Sequence, residues 1–176
     1  SSIVMKICKS ALVGLFIMYC YSAMSQQPEA LISTDHIKNK WMNIPYATIS
    51  EAQKLDIYLP DLGNGPFPVI LAIHGGAFKF GDKASSHMAF MLEGVKNGYA
   101  VISINYRMSG EAKAPQLIHD VKAAVRWIRA HASEYKLNGE KIAAWGPSAG
   151  GHLSALVGTS GDVKALEDFS LGNAAQ

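Results

Sequence analysis

The stretch KIAAWGPSAGGHLSALV, residues 141–157, decides the fold of this chain of 176 residues. Its apolar run KIAAWG is typical of a buried strand, and the run that begins at Ser148 is typical of a helix reaching about Val157. The strand passes into the helix through the five residues GPSAG, so a serine stands at the turn. A buried strand followed directly by a helix is the basic unit of an α/β protein.

The apolar pattern upstream predicts four further strands. ATIS (47–50) and KLDIYLP (54–60) alternate apolar and polar residues, as half-buried antiparallel strands do. VILAIHGG (69–76) and YAVISINY (99–106) are continuous apolar runs, as in the buried strands of a parallel sheet.

Two helices are predicted between these strands and the turn. A short one covers about residues 86–96, and a longer one begins near Pro115, where apolar residues recur at helical spacing as far as Ala132. Strands alternating with helices indicate an α/β fold with a mostly parallel, doubly wound sheet covered by helices on both faces.

The composition is that of a globular protein and argues against one class of partner. The chain is 49% hydrophobic and 17% charged, its formal net charge is +2, and no cluster of lysine and arginine is present. Nucleic acid is therefore not expected as a partner.

The first 25 residues have the pattern of a signal peptide. Met5 and two lysines precede the apolar run ALVGLFIMYCY (11–21), which is too short to cross a bilayer comfortably. Small residues then predict cleavage between Ser25 and Gln26, and residues 1–4 read as an upstream segment. The alternative is a buried or anchoring helix.

Cleavage at this point would remove both cysteines, Cys8 and Cys20, and leave a mature protein without disulfides. We expect a secreted or periplasmic protein with no stable membrane anchor. The predicted organisation is residues 1–25 as upstream residues plus signal peptide, 26–45 as an N-terminal extension, and 46–176 as the N-terminal part of one α/β domain.

The turn GPSAG fits the pattern G-x-S-x-G of a nucleophile elbow. The serine hydroxyl is presented at a sharp strand-to-helix turn, and glycines two positions away, Gly146 and Gly150, avoid collisions with neighbouring backbone. Ser148 is therefore the candidate nucleophile. A purely structural strand–helix turn is the alternative.

A second motif, HGGAF (74–78), ends an earlier predicted strand. Consecutive glycine amides after a strand are suited to bind the oxyanion that forms during acyl transfer, together with the amide of the residue after the nucleophile. We assign Gly75, Gly76 and Ala149 to this oxyanion hole. A tight turn that requires glycine is the alternative.

Together with YAVISINYRMS and the run from residue 114 to 156, these motifs resemble the secreted carboxylesterases of the α/β-hydrolase superfamily. The similar groups are the hormone-sensitive-lipase-like esterases and the feruloyl/acetyl (BD-FAE-type) esterases of plant polysaccharides. The resemblance implies an α/β-hydrolase fold, a small-molecule or polysaccharide-linked ester as substrate, and neither metal nor organic cofactor. Three residues depart mildly from the usual motifs, namely Ala77, Phe78 and Pro147.

The resemblance also implies an acid and a histidine that follow the serine in the chain. Beyond Ser148 the sequence contains one histidine, His152, and three acids, Asp162, Glu167 and Asp168. His152 is one turn along the same helix and is expected to be a packing residue. None of the acids precedes a suitable histidine, so the acid and base of the triad are absent from this chain.

The remaining candidates are expected to be structural. We interpret Asp120 as a paired or capping carboxylate, and none of the other five histidines lies in a catalytic motif: His36, His74, His87, His119 and His131.

These observations predict that the chain is the N-terminal part of a longer enzyme, truncated after the elbow helix and inactive alone. KIAAWG would then be an open, aggregation-prone sheet edge. A serine peptidase of the same fold and a non-catalytic binding or scaffold protein are the alternatives.

Overall fold

The computed structural model describes residues 30–172 of the chain. The strands are β1 Lys40–Pro45, β2 Lys54–Tyr58, β3 Phe67–Ile73, β4 Ala100–Ile104 and β5 Leu137–Trp145. The α-helices are α1 Glu93–Lys96, α2 Gln116–Ala130 and α3 Ala149–Thr159, and two 3-10 helices cover Ser86–Leu92 and Lys164–Leu166.

The five strands form one mixed sheet in the order β1-β2-β4-β3-β5. β1 and β2 are antiparallel to their neighbours, whereas β4, β3 and β5 run parallel and form the centre of the fold. The predicted α/β class and the parallel core are confirmed. Because parallel strands share one direction, the loops that follow β3 and β5 meet at the same edge of the sheet.

Both faces of the sheet are covered. On one face, Ala72 and Val101 pack with Met88, Met91 and Leu92 of the first 3-10 helix. On the other face, the strands pack against α2 and α3 in a larger cluster that includes Leu71, Ile102, Val121, Ile128 and Leu153. Burial on both faces explains why β3 and β4 appear in the sequence as continuous apolar runs.

The prediction of a strand over ATIS is wrong. Residues 47–50 belong to a turn in which the side-chain oxygen of Gln53 accepts the backbone N–H groups of Ile49 and Ser50, each at 3.1 Å. The first strand is β1 instead, within the residues assigned to an N-terminal extension, and it pairs with β2 across a bulge. Asn43 has a φ of 57° at this bulge, which period-two alternation does not predict.

The other predicted elements are present, with ends that differ by a few residues and with two larger changes. The helix predicted over residues 86–96 is a 3-10 helix followed by the single turn α1. β5 begins at Leu137 rather than at Lys141, and its pairing with β3 shifts register between Pro68 and Val69.

Strand β5 differs from its neighbours in exposure. Within residues 30–172 it pairs only with β3, and Trp145 at its end is 39% exposed, whereas every residue of β4 is buried. An apolar strand is therefore the outermost strand of the described sheet on this side.

The predicted signal peptide lies outside the described residues. In the part of the chain that the structure covers, no helix combines the length and the apolar character needed to cross a membrane.

Candidate active site

Ser148 occupies the sharp turn between β5 and α3. Its φ of 51° and ψ of −117° fall in a region that residues other than glycine rarely adopt, and the backbone is therefore strained at this residue. α3 begins at the next residue, Ala149. Strain at a serine between a buried strand and a helix is the geometry that the G-x-S-x-G pattern predicts.

The two glycines of the pattern pack on the end of β3. A Cβ atom added to Gly146 would lie 2.0 Å from the carbonyl oxygen of Ile73, and one added to Gly150 would lie 1.9 Å from the same oxygen. No side chain fits at either position without moving the backbone. These contacts hold the turn directly beside the loop that follows β3.

That loop, residues 74–81, is called the glycine loop below. A Cβ atom on Gly75 would lie 2.8 Å from the carbonyl oxygen of Pro147 and 3.5 Å from Cβ of Ser148. Gly76 has a φ of 118°, and the next two residues, Ala77 and Phe78, also have positive φ values. The glycine loop therefore curls beside the serine, as the two sequence motifs together predict.

Backbone donors are available at this junction. The N–H groups of Gly75, Gly76 and Ala149 form no hydrogen bond with any residue between 30 and 172. Ala149 is also the first residue of α3, where the positive end of the helix dipole favours negative charge. Amides near a nucleophile with no protein acceptor are the donors that an oxyanion requires.

The start of the glycine loop is fixed by contacts with the residues after β4. The hydroxyl of Tyr106 donates to the carbonyl oxygen of His74 at 3.0 Å, and the two rings stack 4.7 Å apart. Nδ1 of His74 lies 2.7 Å from the carbonyl oxygen of Gly75, where it acts as a donor. Ser109 N–H donates to the carbonyl oxygen of Phe78 at 2.7 Å.

These contacts give His74 the structural role predicted for it. The sequence did not point to Tyr106, because a tyrosine after a buried strand carries no motif. Burial raises the pKa of Tyr106 to about 12, so its hydroxyl remains a donor well into the alkaline range.

An apolar groove of about 450 Å³ adjoins the glycine loop. The ring of His152 meets the ring of Phe78 edge to face, with centroids 6.0 Å apart, and both side chains line the groove. His152 is thus a packing residue, as predicted. The other lining residues come from the segment before α2, from α2 and α3, and from Leu166.

Among residues 30–172, two acids that the sequence offers, Asp120 and Glu167, are paired with basic side chains elsewhere. Asp120 is completely buried and accepts hydrogen bonds from the guanidinium of Arg107 and from the side-chain amide of Gln53, which confirms that it is a paired carboxylate. Glu167 is paired with Lys122 and Arg126.

His119 and His131 lie on α2 or at its end, each near a backbone carbonyl oxygen. Across residues 30–172 the hydroxyl of Ser148 has no hydrogen-bond partner. The same residues contain no group of three or more metal-ligating side chains suited to an ion. The catalytic roles of Ser148, Gly75, Gly76 and Ala149 remain predictions.

Comparison with known proteins identifies related sequences. The model of the BD-FAE family matches residues 55–175. Two Mycobacterium tuberculosis proteins are similar to the chain: the probable carboxylic ester hydrolase LipM, 41% identical over 116 residues, and the esterase LipC, 37% identical over 124 residues. These alignments cover 65% and 69% of this chain but only 27% and 31% of the relatives.

Solved structures show the same architecture. A truncated carbohydrate esterase from gut microbiota is 38% identical with a TM-score of 0.68, over 77% of this chain and 48% of that one. A bifunctional GH43-CE protein of Bacteroides eggerthii is 45% identical with a TM-score of 0.65, over 72% of this chain and 18% of that one. The chain thus spans half or less of the length of these relatives, and its fold is that of the α/β-hydrolases.

Proposed function

Because this chain belongs to the BD-FAE family of α/β-hydrolase carboxylesterases, we propose that Ser148 is the nucleophile of a serine carboxylesterase. The observation that carries the proposal is the contact between the two motifs: a Cβ atom added to Gly75 would lie 3.5 Å from Cβ of Ser148. The nucleophile and the free amide donors are then close enough to act on the same carbonyl group of an ester.

In the proposed reaction, the Ser148 oxygen attacks the carbonyl carbon of the ester and loses its proton to a general base. The N–H groups of Gly75, Gly76 and Ala149 bind the oxyanion of the tetrahedral intermediate. Collapse of the intermediate breaks the bond to the alcohol oxygen, which takes up the proton. Water then attacks the acyl-serine, releases the carboxylic acid and restores the hydroxyl.

We propose that the base and acid are supplied by residues beyond those described. Two observations support this: the ring of His152, the histidine that follows Ser148, packs against Phe78, and the chain spans only part of the length of its relatives. Loss of the base from a serine triad lowers turnover by roughly a million-fold. The chain alone is therefore expected to have almost no esterase turnover.

The proposed substrates are acetyl or feruloyl esters carried by plant polysaccharides. The support is that two similar structures are described as a carbohydrate esterase and as a bifunctional GH43-CE protein. Hydrolysis of p-nitrophenyl acetate and of methyl ferulate, followed by release of acid from acetylated and feruloylated xylan, would test this assignment.

The experiment for the nucleophile is covalent labelling by a fluorophosphonate, read by peptide mass spectrometry. We expect slow labelling of the chain at Ser148, loss of labelling in Ser148→Ala, and unchanged labelling in Ser154→Ala. Ser154 is the matched control because it lies on the same helix and its hydroxyl donates to the carbonyl oxygen of Gly150.

The product of the complete gene should hydrolyse p-nitrophenyl acetate, and Ser148→Ala should abolish that hydrolysis. If hydrolysis survives the substitution, or if the gene product neither hydrolyses esters nor reacts with the probe, the nucleophile assignment is wrong. A gene product inert in both assays favours a non-catalytic binding protein.

We also propose that the protein is exported, with cleavage before Gln26. The support is the sequence pattern of residues 5–25. Mass spectrometry of the mature N-terminus from the native host should find Gln26 first. An intact N-terminus in the cell pellet contradicts export.

A further inference from the structure

Lys83, shortly after the glycine loop, forms an ion pair inside the protein with Asp56 of β2. The lysine Nζ is 2.8 Å from Oδ2 of Asp56, and the two side chains are 6% and 0% exposed. Nζ also donates to the side-chain oxygen of Asn43 at 2.8 Å, and the backbone N–H of Asn43 donates to Oδ1 of Asp56 at 2.7 Å. Burial of both charges is costly, so this pair depends on its several partners.

The pair is connected to the glycine loop through closely packed backbone. A Cβ atom on Gly76 would lie 1.8 Å from the carbonyl oxygen of Phe80, and one on Gly81 would lie 2.5 Å from the carbonyl oxygen of Gly75. Residues 80 and 81 therefore pack directly against the backbone of Gly75 and Gly76. Lys83 lies two residues after Gly81.

The backbone around Lys83 is held as firmly as its side chain. Its N–H donates to the side-chain oxygen of Asn105 at 2.7 Å, and its carbonyl oxygen accepts the hydroxyl of Ser103 at 2.7 Å. The side-chain amide of Asn105 donates to Asp82 at 2.7 Å. The segment is thus fixed to β4 by its backbone and to β2 by the Lys83 ammonium group.

We propose that the Lys83–Asp56 pair positions the amide donors of Gly75 and Gly76. Oxyanion donors act only if they are preorganised, and a loop with three glycines is intrinsically mobile. An ion pair to a strand of the sheet supplies a second fixed point, at the far end of the loop from the contacts of Tyr106. Lys83 and Asp56 are positioning residues in this proposal, which rests on the proposed esterase function.

Paired substitutions in the full chain test the role. Asp56→Asn with Lys83→Met removes both charges and leaves no unpaired ion in the core. Lys122→Met with Glu167→Gln is the control, because it removes another ion pair with a largely buried lysine, distant in sequence from the glycine loop; it also takes this carboxylate from Arg126 and is thus the more disruptive change. Asn43→Gly is a milder variant that keeps the left-handed backbone and removes one acceptor of Lys83.

Two measurements are made on each variant. The first is the backbone order parameter of residues 75–77 from ¹⁵N relaxation, which requires no catalysis. We expect a decrease from about 0.85 to below about 0.6 in the Asp56→Asn/Lys83→Met variant. The second is fluorophosphonate labelling of Ser148, where we expect the maximal rate to fall at least about tenfold, with the concentration dependence unchanged.

The control pair should change neither measurement, and Asn43→Gly should give smaller changes of the same kind. Unchanged order parameters in the Asp56→Asn/Lys83→Met variant would overturn the proposal. Equal decreases in both double variants would also overturn it, since general destabilisation would then be the cause. If the unmodified chain is never labelled, the complete gene product decides the esterase function, while the order parameters still decide whether the pair positions the loop.

Discussion

Gly150→Ala should destabilise the protein although it places alanine in a helix. In an exposed helix interior this substitution stabilises by about 1 kcal/mol. Here the new Cβ would lie 1.9 Å from the carbonyl oxygen of Ile73 and 2.8 Å from that of His74, far inside the ordinary contact range of 3.4–4 Å. Overpacking costs about 1–3 kcal/mol where side chains can move. Since both of these oxygens belong to the backbone, we take about 3 kcal/mol as the minimum cost of overpacking.

The expected net loss is therefore at least about 2 kcal/mol, which lowers Tm by roughly 4–8 °C in a protein of this size. Urea unfolding followed by circular dichroism measures the loss. Gly158→Ala is the control on the same helix, because nothing lies within 4 Å of its added Cβ. The free energy of unfolding of the Gly158→Ala control should increase by up to about 1 kcal/mol. Equal or greater stability of Gly150→Ala would refute the packing argument.

Three further predictions concern stability. Ser148→Gly should be about 1 kcal/mol more stable than Ser148→Ala in urea, because only glycine relieves the strain at a φ of 51°; equal midpoints would contradict it. Asp120→Asn should cost about 3–5 kcal/mol, since it leaves the Arg107 guanidinium without its buried carboxylate; an unchanged urea midpoint would refute that account. Burial raises the pKa of Tyr106 to about 12 and that of Tyr46 well above its usual value. Because the folded state then binds more protons than the unfolded state, stability should decrease as the pH rises from about 10 to about 12. Urea unfolding midpoints measured across this pH range test the prediction, and constant midpoints would contradict it.

Much of the central fold follows from local pattern. β3 and β4 are buried on both faces, so their sequences are continuous apolar runs that end in glycine or polar residues. α2 carries a regular apolar stripe. The turn at Ser148 is recognisable because Gly146 and Gly150 are required by contacts with one carbonyl oxygen.

Features that depend on distant partners did not follow from the sequence. β1 is mostly exposed and becomes a strand only by pairing with β2, whereas residues 47–50 alternate correctly but are turned by the side chain of Gln53. The Lys83–Asp56 pair joins residues 27 positions apart. A charged residue near a glycine motif gives no local signal of the partner that it will meet.

The backbone contact between the end of β3 and the turn at Ser148 has a consequence for laboratory evolution. No side chain separates the serine from Gly75, so no change of rotamer can alter the spacing between them. Libraries that vary Phe78 and His152 can therefore reshape the groove while the spacing stays the same. Libraries that include Gly146 or Gly150 should return mainly clones that fail to fold. The shape of the groove and the spacing at Ser148 can therefore be varied separately.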